Sequence, residues 1–431
     1  MARKGTSPLI TDFDNIPDEA LVPVEEQPYS IPEHWKWVRF KSLNRFKSKT
    51  MDPSKFPESQ FYLFSVPAFP EGSPEYICGN KIGSTKQQVN ANDVLVCKIN
   101  PRINRVWVVN LDESNTIASS EWIVFRPSYG DSDFFRAYFS SGEFRQLLCS
   151  ELSGVGGSLT RARPKLVDEY PIPLPPLYEQ LRIVEKLDAH LAQTNSAIAE
   201  AERFLAGFES YRNSLVQAGV SGQLTAQWRA QNGIKREDWT RSTLGKAFKW
   251  SSGGTPSRKR PEFFKGDIPW VKSGELCNGT ILDTEEHISK EALVQSSAKL
   301  FPTGTVLIAM YGATIGKVGI LATAAATNQA VAAAFKAEHS RARYLVYFLR
   351  ANREKFIALG KGGAQPNISQ TLIKAFPFDR PILTEQDEIV RLLDSKLESL
   401  NQAETLVQKS LATLNALRDS LVSAALSGRL T

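Results

Sequence analysis

Two stretches of this chain carry apolar residues at alternating intervals of three and four. The first runs Val184, Leu187, Leu191, Thr194, Ile198, Ala201, Leu205, Phe208, Arg212, Leu215. The second runs Val390, Leu393, Leu397, Leu400, Glu404, Val407, Leu411, Leu414, Arg418, Leu421. This is the a/d seam of a coiled coil, sustained over about four heptads. It predicts a helix from Leu177 to Ala218, roughly 60 Å long at 1.5 Å per residue, and a counterpart further on. Each seam is preceded by prolines (Pro171, Pro173, Pro175, Pro176; Pro377, Pro381), which favour an extended entry and a firm boundary. Each closes at Ser-Gly (Ser221-Gly222; Ser427-Gly428), where glycine suits a helix C-cap.

The two stretches are copies. Pro171 to Thr225 aligns without a gap with Pro377 to Thr431, and 23 of the 55 positions are identical. Glu179-Gln180 matches Glu385-Gln386, Ile183-Val184 matches Ile389-Val390, and Ser214-Leu215-Val216 matches Ser420-Leu421-Val422. Two helices with one apolar stripe each bury those stripes against each other. Pseudosymmetry then places the preceding globular segments at opposite ends of an antiparallel pair. Three polar residues interrupt the seam: Arg212, Arg418 and Glu404. Either arginine stems pack while their heads reach water, or a polar pairing fixes the register.

The segments before each helix alternate differently. Asp93–Lys98 and Thr305–Ala309 are β-branched runs, each followed by a loop and a second apolar run, Val106–Val109 or Lys317–Leu321. These read as paired strands. An aromatic-rich helix follows in each: Asp133 to Leu148, with Phe134, Tyr138, Phe139 and Phe144, and Arg341 to Leu359, with Tyr344, Tyr347, Phe348 and Phe356. Glu33-His34-Trp35 and Glu237-Asp238-Trp239 mark the two starts, and Gly156-Gly157-Ser158 and Gly362-Gly363-Ala364 the two ends. The expected class is α+β: two globular α/β domains joined by two long antiparallel coiled-coil helices, pseudo-two-fold. The boundaries read as a leader (1–32), a first domain (33–170), a central repeated helix (171–225), a linker (226–235), a second domain (236–376) and a C-terminal repeated helix (377–431).

Composition narrows the chemistry. Hydrophobic residues make up 42% of the 431, enough for real cores, and no apolar run approaches the roughly 18 residues of a membrane span. Met1-Ala2-Arg3-Lys4 has no apolar segment behind it, unlike a secretory signal. Cys78, Cys97, Cys149 and Cys277 show no CxxC spacing, which suits reduced thiols in a cytoplasm and not a zinc site. The four histidines (His34, His190, His287, His339) are scattered, so a metal site is not expected. The net charge of +6 is uneven: −5 over residues 1–35, +4 over 36–170, zero over 171–235, +9 over 236–376 and −2 over 377–431. Basic domains on non-basic helices fit phosphate-backbone binding by the domains, and a two-fold molecule fits a nearly two-fold duplex.

Catalytic signatures are missing. Gly312-Ala313-Thr314-Ile315-Gly316-Lys317 is one residue short of a phosphate loop, and Val318 stands where Ser or Thr must reach magnesium. Gly154-Val155-Gly156-Gly157 lacks the third glycine of a dinucleotide fingerprint, and no nucleophile elbow appears. No Asn/Asp-Pro-Pro-aromatic tetrapeptide for amino methylation is present either. Nucleic-acid contact has better candidates. In the first domain they are Lys98, Asn100, Arg102, Asn104 and Arg105 in one loop, with Ser158, Arg161 and Arg163 near its end. Arginine forks suit guanine and amides suit adenine. In the second domain they are Thr255, Ser257, Arg258, Lys259 and Arg260 after Gly253-Gly254, then Lys272, Ser273, Tyr311, Thr314, Lys317, Gln365 and Asn367.

Together these residues resemble the specificity subunit of a type I restriction-modification system. Pro173-Leu174-Pro175-Pro176 and Glu179-Gln180 open a long helix, Ser221-Gly222-Gln223-Leu224-Thr225 closes it, and Thr225-Ala226-Gln227-Trp228-Arg229 follows. Pro381, Glu385-Gln386 and Ser427-Gly428-Arg429-Leu430-Thr431 repeat the plan. Gly253-Gly254-Thr255-Pro256, Trp270-Val271-Lys272-Ser273-Gly274 and Gly362-Gly363 with Gln365 and Asn367-Ile368 resemble family loops. The first domain lacks the Gly-Gly-Thr-Pro loop, and the acidic leader lies outside the pattern. The resemblance implies a non-catalytic subunit whose two target recognition domains each read half of a bipartite duplex sequence. The helices would fix the spacer and dock two methyltransferase subunits. S-adenosylmethionine, ATP and magnesium would belong to those subunits and to two motor-nuclease subunits. The alternatives are a specificity subunit of a related methylase or nuclease system, an enzyme with its own active site, or a coiled-coil interaction scaffold without DNA specificity.

Overall fold

The computed structural model describes residues 8–150, 160–337, 339–360 and 367–430. They divide into two units, Met1–Glu202 with Lys409–Thr431, and Arg203–Gln408. The long helices are Leu177–Val220 and Leu383–Leu426, 44 residues each. The first thus runs two residues past the end read from the seam. Both stop where glycine takes a left-handed conformation, at Gly222 (φ +78°) and Gly428 (φ +75°).

The first unit is built on two ladders. Val94–Cys97 pairs antiparallel with Val106–Val108 and with Trp122–Phe125. A second sheet orders its strands Thr50–Met51, Lys86–Gln88, Thr116–Ala118, Gln60–Phe64, Glu75–Cys78, with one parallel pair between Gln60–Phe64 and Thr116–Ala118. The proline-rich entry Pro171–Leu174 is itself a strand, antiparallel to Lys36–Arg39. Phe40, Phe125, Phe134, Phe135, Tyr138, Phe139 and Phe144 are all fully buried and form one contiguous core. Ring centroids 4.7–6.2 Å apart link them. The leader belongs to this body: Ile10, Ala20 and Val22 are buried, and the Val22 amide donates to the Trp37 carbonyl.

The second unit repeats the plan with different residues. Val306–Ala309 pairs antiparallel with Val318–Leu321 and Val331–Phe335. In the other sheet Ile268–Val271 lies parallel to Ala325–Thr327 and antiparallel to His287–Ile288, and Leu300–Phe301 flanks Ala325–Thr327. These pairing senses match those of the first unit, although Lys249–Ser252 and Thr280–Ile281 extend the second unit's ladder to five strands and Thr50–Met51 has no counterpart strand among the described residues. The shared fold expected from faint sequence repetition is therefore present in the ladders.

The single aromatic helix expected in each domain is two helices. The first domain has Ser132–Phe139 and Gly142–Ser150. The break comes where the Ser141 hydroxyl accepts the Phe144 amide and starts a new helix. The second has Ala342–Ala351 and Arg353–Leu359, broken at Asn352, whose side chain donates to the Phe348 carbonyl.

Each unit contains the start of one long helix and the end of the other, packed together. In the first, Ile183 and Leu187 share a core with Ala425 and Leu426, and Val184, Leu191 and Leu421 lie against it. In the second, Leu215, Val216 and Val220 share one with Ile389, Leu393 and Leu397, flanked by Val390 and Leu400. Start against end is the antiparallel sense. Gly219 permits a close approach: a Cβ there would stand 2.7 Å from Leu393 Cδ1. Ile198 is buried, and Leu205, Phe208, Val407, Leu411 and Leu414 are partly buried. The polar interruptions behave in two ways. Arg212 donates to Glu404 at 2.7 Å, with Asn401 at 3.2 Å and Glu209 at 2.8 Å, a polar pairing within the seam. Arg418 instead lies 3.5 Å from its chain neighbour Asp419 with its side chain 41% exposed, the packed-stem arrangement.

Candidate nucleic-acid interface

The hairpin loop of the first ladder is a rigid turn. Asn100 and Asn104 both take left-handed conformations (φ +48°) and bracket the short helical turn Pro101–Ile103. Asparagine tolerates that region better than most side chains. The Asn104 side chain points inward, toward the Ser141 carbonyl at 3.4 Å, so it anchors the loop. Arg102 and Ile103 are exposed at its apex, and Asn100, Lys98 and Arg105 are half-buried.

This loop is laced to the segment entering the first long helix. Ile99 bridges Arg161, the Asn100 amide donates to the Thr160 carbonyl, and the Ala162 amide donates to the Lys98 carbonyl. The seam lines a cleft of about 700 Å³ with Lys98, Arg161, Arg163 and Lys165. Arg161 pairs with Glu121 at 3.1 Å. Lys98, Arg102, Arg163 and Lys165 form no ion pair among the described residues. Lys165 was missed from sequence, although the alternation of cations at 161, 163 and 165 announces one exposed edge.

The second domain builds the corresponding surface. Tyr311 bridges Asn367 and the Ile368 amide donates to the Met310 carbonyl. Asn367 and Arg161 are equivalent positions of the repeat, each bridged to its own hairpin loop. Thr314 donates to the Tyr311 carbonyl at 2.8 Å, and Lys317 is half-buried without an ion pair among the described residues. Ser158 and Gln365 lie outside the described residues.

Three other candidate cations of the second domain, Arg258, Arg260 and Lys272, are held by carboxylates. Arg258 donates to Glu286 at 2.5 and 3.1 Å, with its guanidinium 4.2 Å from the Phe264 ring centre. Arg260 reaches Glu262 at 2.7 Å and Glu291 at 2.9 Å and lies over Phe263. Lys272 pairs with Glu285 and Glu286. The Arg258 hydrogen bond, outweighing burial and assisted by Lys272, holds the Glu286 carboxyl below its ordinary range. Lys259 and Ser257 are exposed, Ser273 is half-buried, and Thr255 bonds Gln329. The two glycines before Thr255 serve packing: a Cβ at Gly253 would strike Thr327, and one at Gly254 would strike Ser297. The sequence brought Arg258, Lys259 and Arg260 together; the fold occupies the two arginines with carboxylates. Among the described residues no cluster of three metal-ligating side chains occurs and no helix is long and apolar enough to cross a membrane.

The residues kept between the two repeats gather where domain meets helix. The Trp35 indole donates to Glu179 Oε2 at 2.7 Å, and the Trp239 indole donates to Glu385 Oε2 at 2.8 Å. The next residue does a second task. Gln180 Oε1 accepts the Asp131 amide and Gln386 Oε1 the Arg341 amide, both at 2.8 Å, at the heads of the aromatic helices. Their amide groups donate to the carbonyls of Pro175 and Pro381, also at 2.8 Å. Asp188 receives Arg136 at 3.4 Å and its counterpart Asp394 receives Arg343 at 2.8 Å.

A sequence profile described as the type I restriction modification DNA specificity domain matches residues 32–202 and 236–409. The EcoR124I/EcoR124II specificity subunit of Escherichia coli is 28% identical over 246 residues, 54% of this chain and 57% of that subunit. The StySPI specificity subunit of Salmonella potsdam is 26% identical over 317 residues, 71% of this chain and 67% of its own. The alignments thus leave about a third or more of those subunits unmatched. A solved chain from work on complex assembly and conformational transition of the type I R-M system has a TM-score of 0.75. It is 21% identical, covering 93% of this chain and 100% of that one. The HsdS subunit of Thermoanaerobacter tengcongensis gives 0.64 at 21% identity, covering 94% and 100%. At those identities the structures establish the fold: two mixed α/β domains and two long helices. With the profile spanning most of its residues, this chain belongs to the type I restriction-modification DNA specificity family.

Proposed function

We propose that this chain is the DNA-reading subunit of a type I restriction-modification complex, each domain contacting one half of a bipartite duplex sequence. One observation carries the reading. The same surface, a hairpin loop laced to the segment before the long helix, is built twice on matching ladders and carries different side chains each time. In the first domain it presents Lys98, Arg102, Arg163 and Lys165; in the second, Tyr311, Thr314, Lys317 and Asn367. One scaffold with two chemistries suits two different half-sites, with cations gripping phosphates and forked or amide groups reading base edges.

The long helices set the unread spacer and dock two methyltransferase subunits. Leu181, Phe204, Tyr211, Leu406 and Leu417 are exposed on them and supply apolar contact area. S-adenosylmethionine, ATP and magnesium act on those partners and on motor-nuclease subunits, and this chain contributes no catalytic group. The test is competition binding of the assembled complex to duplexes carrying the two half-sites at varied spacing. The reading expects strong preference for one spacer. Equal binding of random duplex at physiological salt would overturn it.

A further inference from the structure

The two carboxylates at the domain–helix joints, Glu179 and Glu385, are equivalent in the repeat. Glu385 is completely buried and collects three segments within its unit. The Trp239 indole comes from the start of the second domain. The Thr225 hydroxyl (2.7 Å) and the Arg229 guanidinium (2.5 Å) come from the turn and short helix that end the first long helix. Arg229 also donates to the Gly222 carbonyl at 2.8 Å, and its side chain is only 12% exposed. The carboxylate itself sits at the head of the second long helix. Domain, end of one helix and start of the other therefore meet at a single charged group, and none can turn without breaking a charge-assisted bond.

Among the described residues Glu179 takes the indole bond from Trp35, a bond from His34 at 2.8 Å and one from the Tyr178 hydroxyl at 2.9 Å. Glu179, Gln180 and Asp188, with their counterparts, are among the identities the repeat retains. All of them link a domain to a helix, and none lies on the candidate DNA surface.

We infer that these joints are positioning elements for spacer length: Glu385 and Glu179 set the angle at which each domain leaves its helix. This deepens the functional reading above and rests on it. A domain free to rock on its helix would still recognise its own half-site but would accept half-sites at neighbouring separations.

The experiment uses the complete complex expressed in cells with its native partner subunits. A plasmid library carries the two half-site words at every spacer from two base pairs short to two long, and methylation of each is read by sequencing. Glu385→Gln is expected to raise methylation of the adjacent spacers about tenfold relative to the preferred one, the scale of a lost charge-assisted hydrogen bond. Glu179→Gln is expected to widen the window in the same direction, and both half-site words stay unchanged. Trp239→Phe, which keeps the packed ring and removes only the indole N–H, is the second variant should Glu385→Gln fail to fold; it is expected to widen the window in the same direction. A uniform fall at all spacers, or a window as narrow as the parent's in properly folded variants, would assign the joints to stability alone and overturn the proposal. If the parent complex itself shows no bipartite word, the functional reading fails and the proposal falls with it.

Discussion

Replacing Lys98, Arg102, Arg163 and Lys165 together with glutamine removes four cations of the first domain's candidate surface, none of which has an ion pair among the described residues. Each phosphate neutralised by a cation releases counterions and steepens the dependence of binding on salt by about 0.9 in the log–log slope. Four such contacts amount to about 3.6. Across a fourfold change in salt that slope corresponds to about two decades of affinity, so the variant loses about a hundredfold less affinity than the parent over such a range. The matched control is Arg258→Gln with Arg260→Gln. These arginines are already held by Glu286, Glu262 and Glu291, so the slope is expected to stay within about one unit of the parent's. Fluorescence anisotropy of the assembled complex with a labelled duplex across a salt series gives both slopes, and thermal melts confirm folding. An unchanged slope in the quadruple variant, or a larger drop in the control, would refute the assignment of the interface to the laced hairpin loops.

Other expectations concern the helices. Glu404→Gln leaves Arg212, its side chain only 18% exposed, without its carboxylate partner across the seam and is expected to cost about 1–3 kcal/mol. Arg212→Leu with Glu404→Ile is expected to return close to the parent in denaturant melts. Arg418→Ala is expected to stay within about 0.5 kcal/mol; a loss as large as that of Glu404→Gln would contradict the packed-stem assignment. Gly219→Ala places a methyl against buried Leu393 and is expected to cost about 1–3 kcal/mol; an unchanged melting temperature would show that the helices can separate there at little cost. Burial pushes the Glu179 carboxyl up, but hydrogen bonds from Trp35, His34 and Tyr178 outweigh it and leave the group below its ordinary value of 4.5. Its contribution to stability is therefore complete above that pH and is lost as pH falls through the depressed folded-state value. Glu179→Gln is expected to flatten the acid limb of a plot of melting temperature against pH; an identical acid limb would remove Glu179 from it.

Much of the fold could be read because its signals are local. The three–four spacing of Leu187, Leu191 and Ile198 specifies a helix, and the Ser-Gly pairs specify its end. The β-branched runs at 94–97 and 306–309 specify strands whose hairpin partners come next in the chain. What was not legible depends on distant partners. Glu179 and Glu385 were visible as repeat identities, but their indole donors lie 144 and 146 positions away, and no periodicity connects them. Arg258 and Arg260 read as open donors in the sequence because Glu286 and Glu291 stand 28 and 31 positions downstream, and the nearer partner of Arg260, Glu262, carries no pattern that marks it as one. The aromatic helices were read as continuous because Ser141 and Asn352 interrupt them through side-chain hydrogen bonds, which a hydrophobic pattern does not record. Charge totals do not place free cations: in the more basic second domain Arg258, Arg260 and Lys272 are held by carboxylates.

The claim that this chain selects a two-part DNA word is tested most directly by mapping modified bases across the host genome with and without its gene, partner genes intact. The account predicts that one bipartite motif, two defined halves separated by a fixed unread spacer, is methylated in the parent and unmethylated in the deletion. A methylation map unchanged by the deletion, or the loss of a single uninterrupted word, would contradict it.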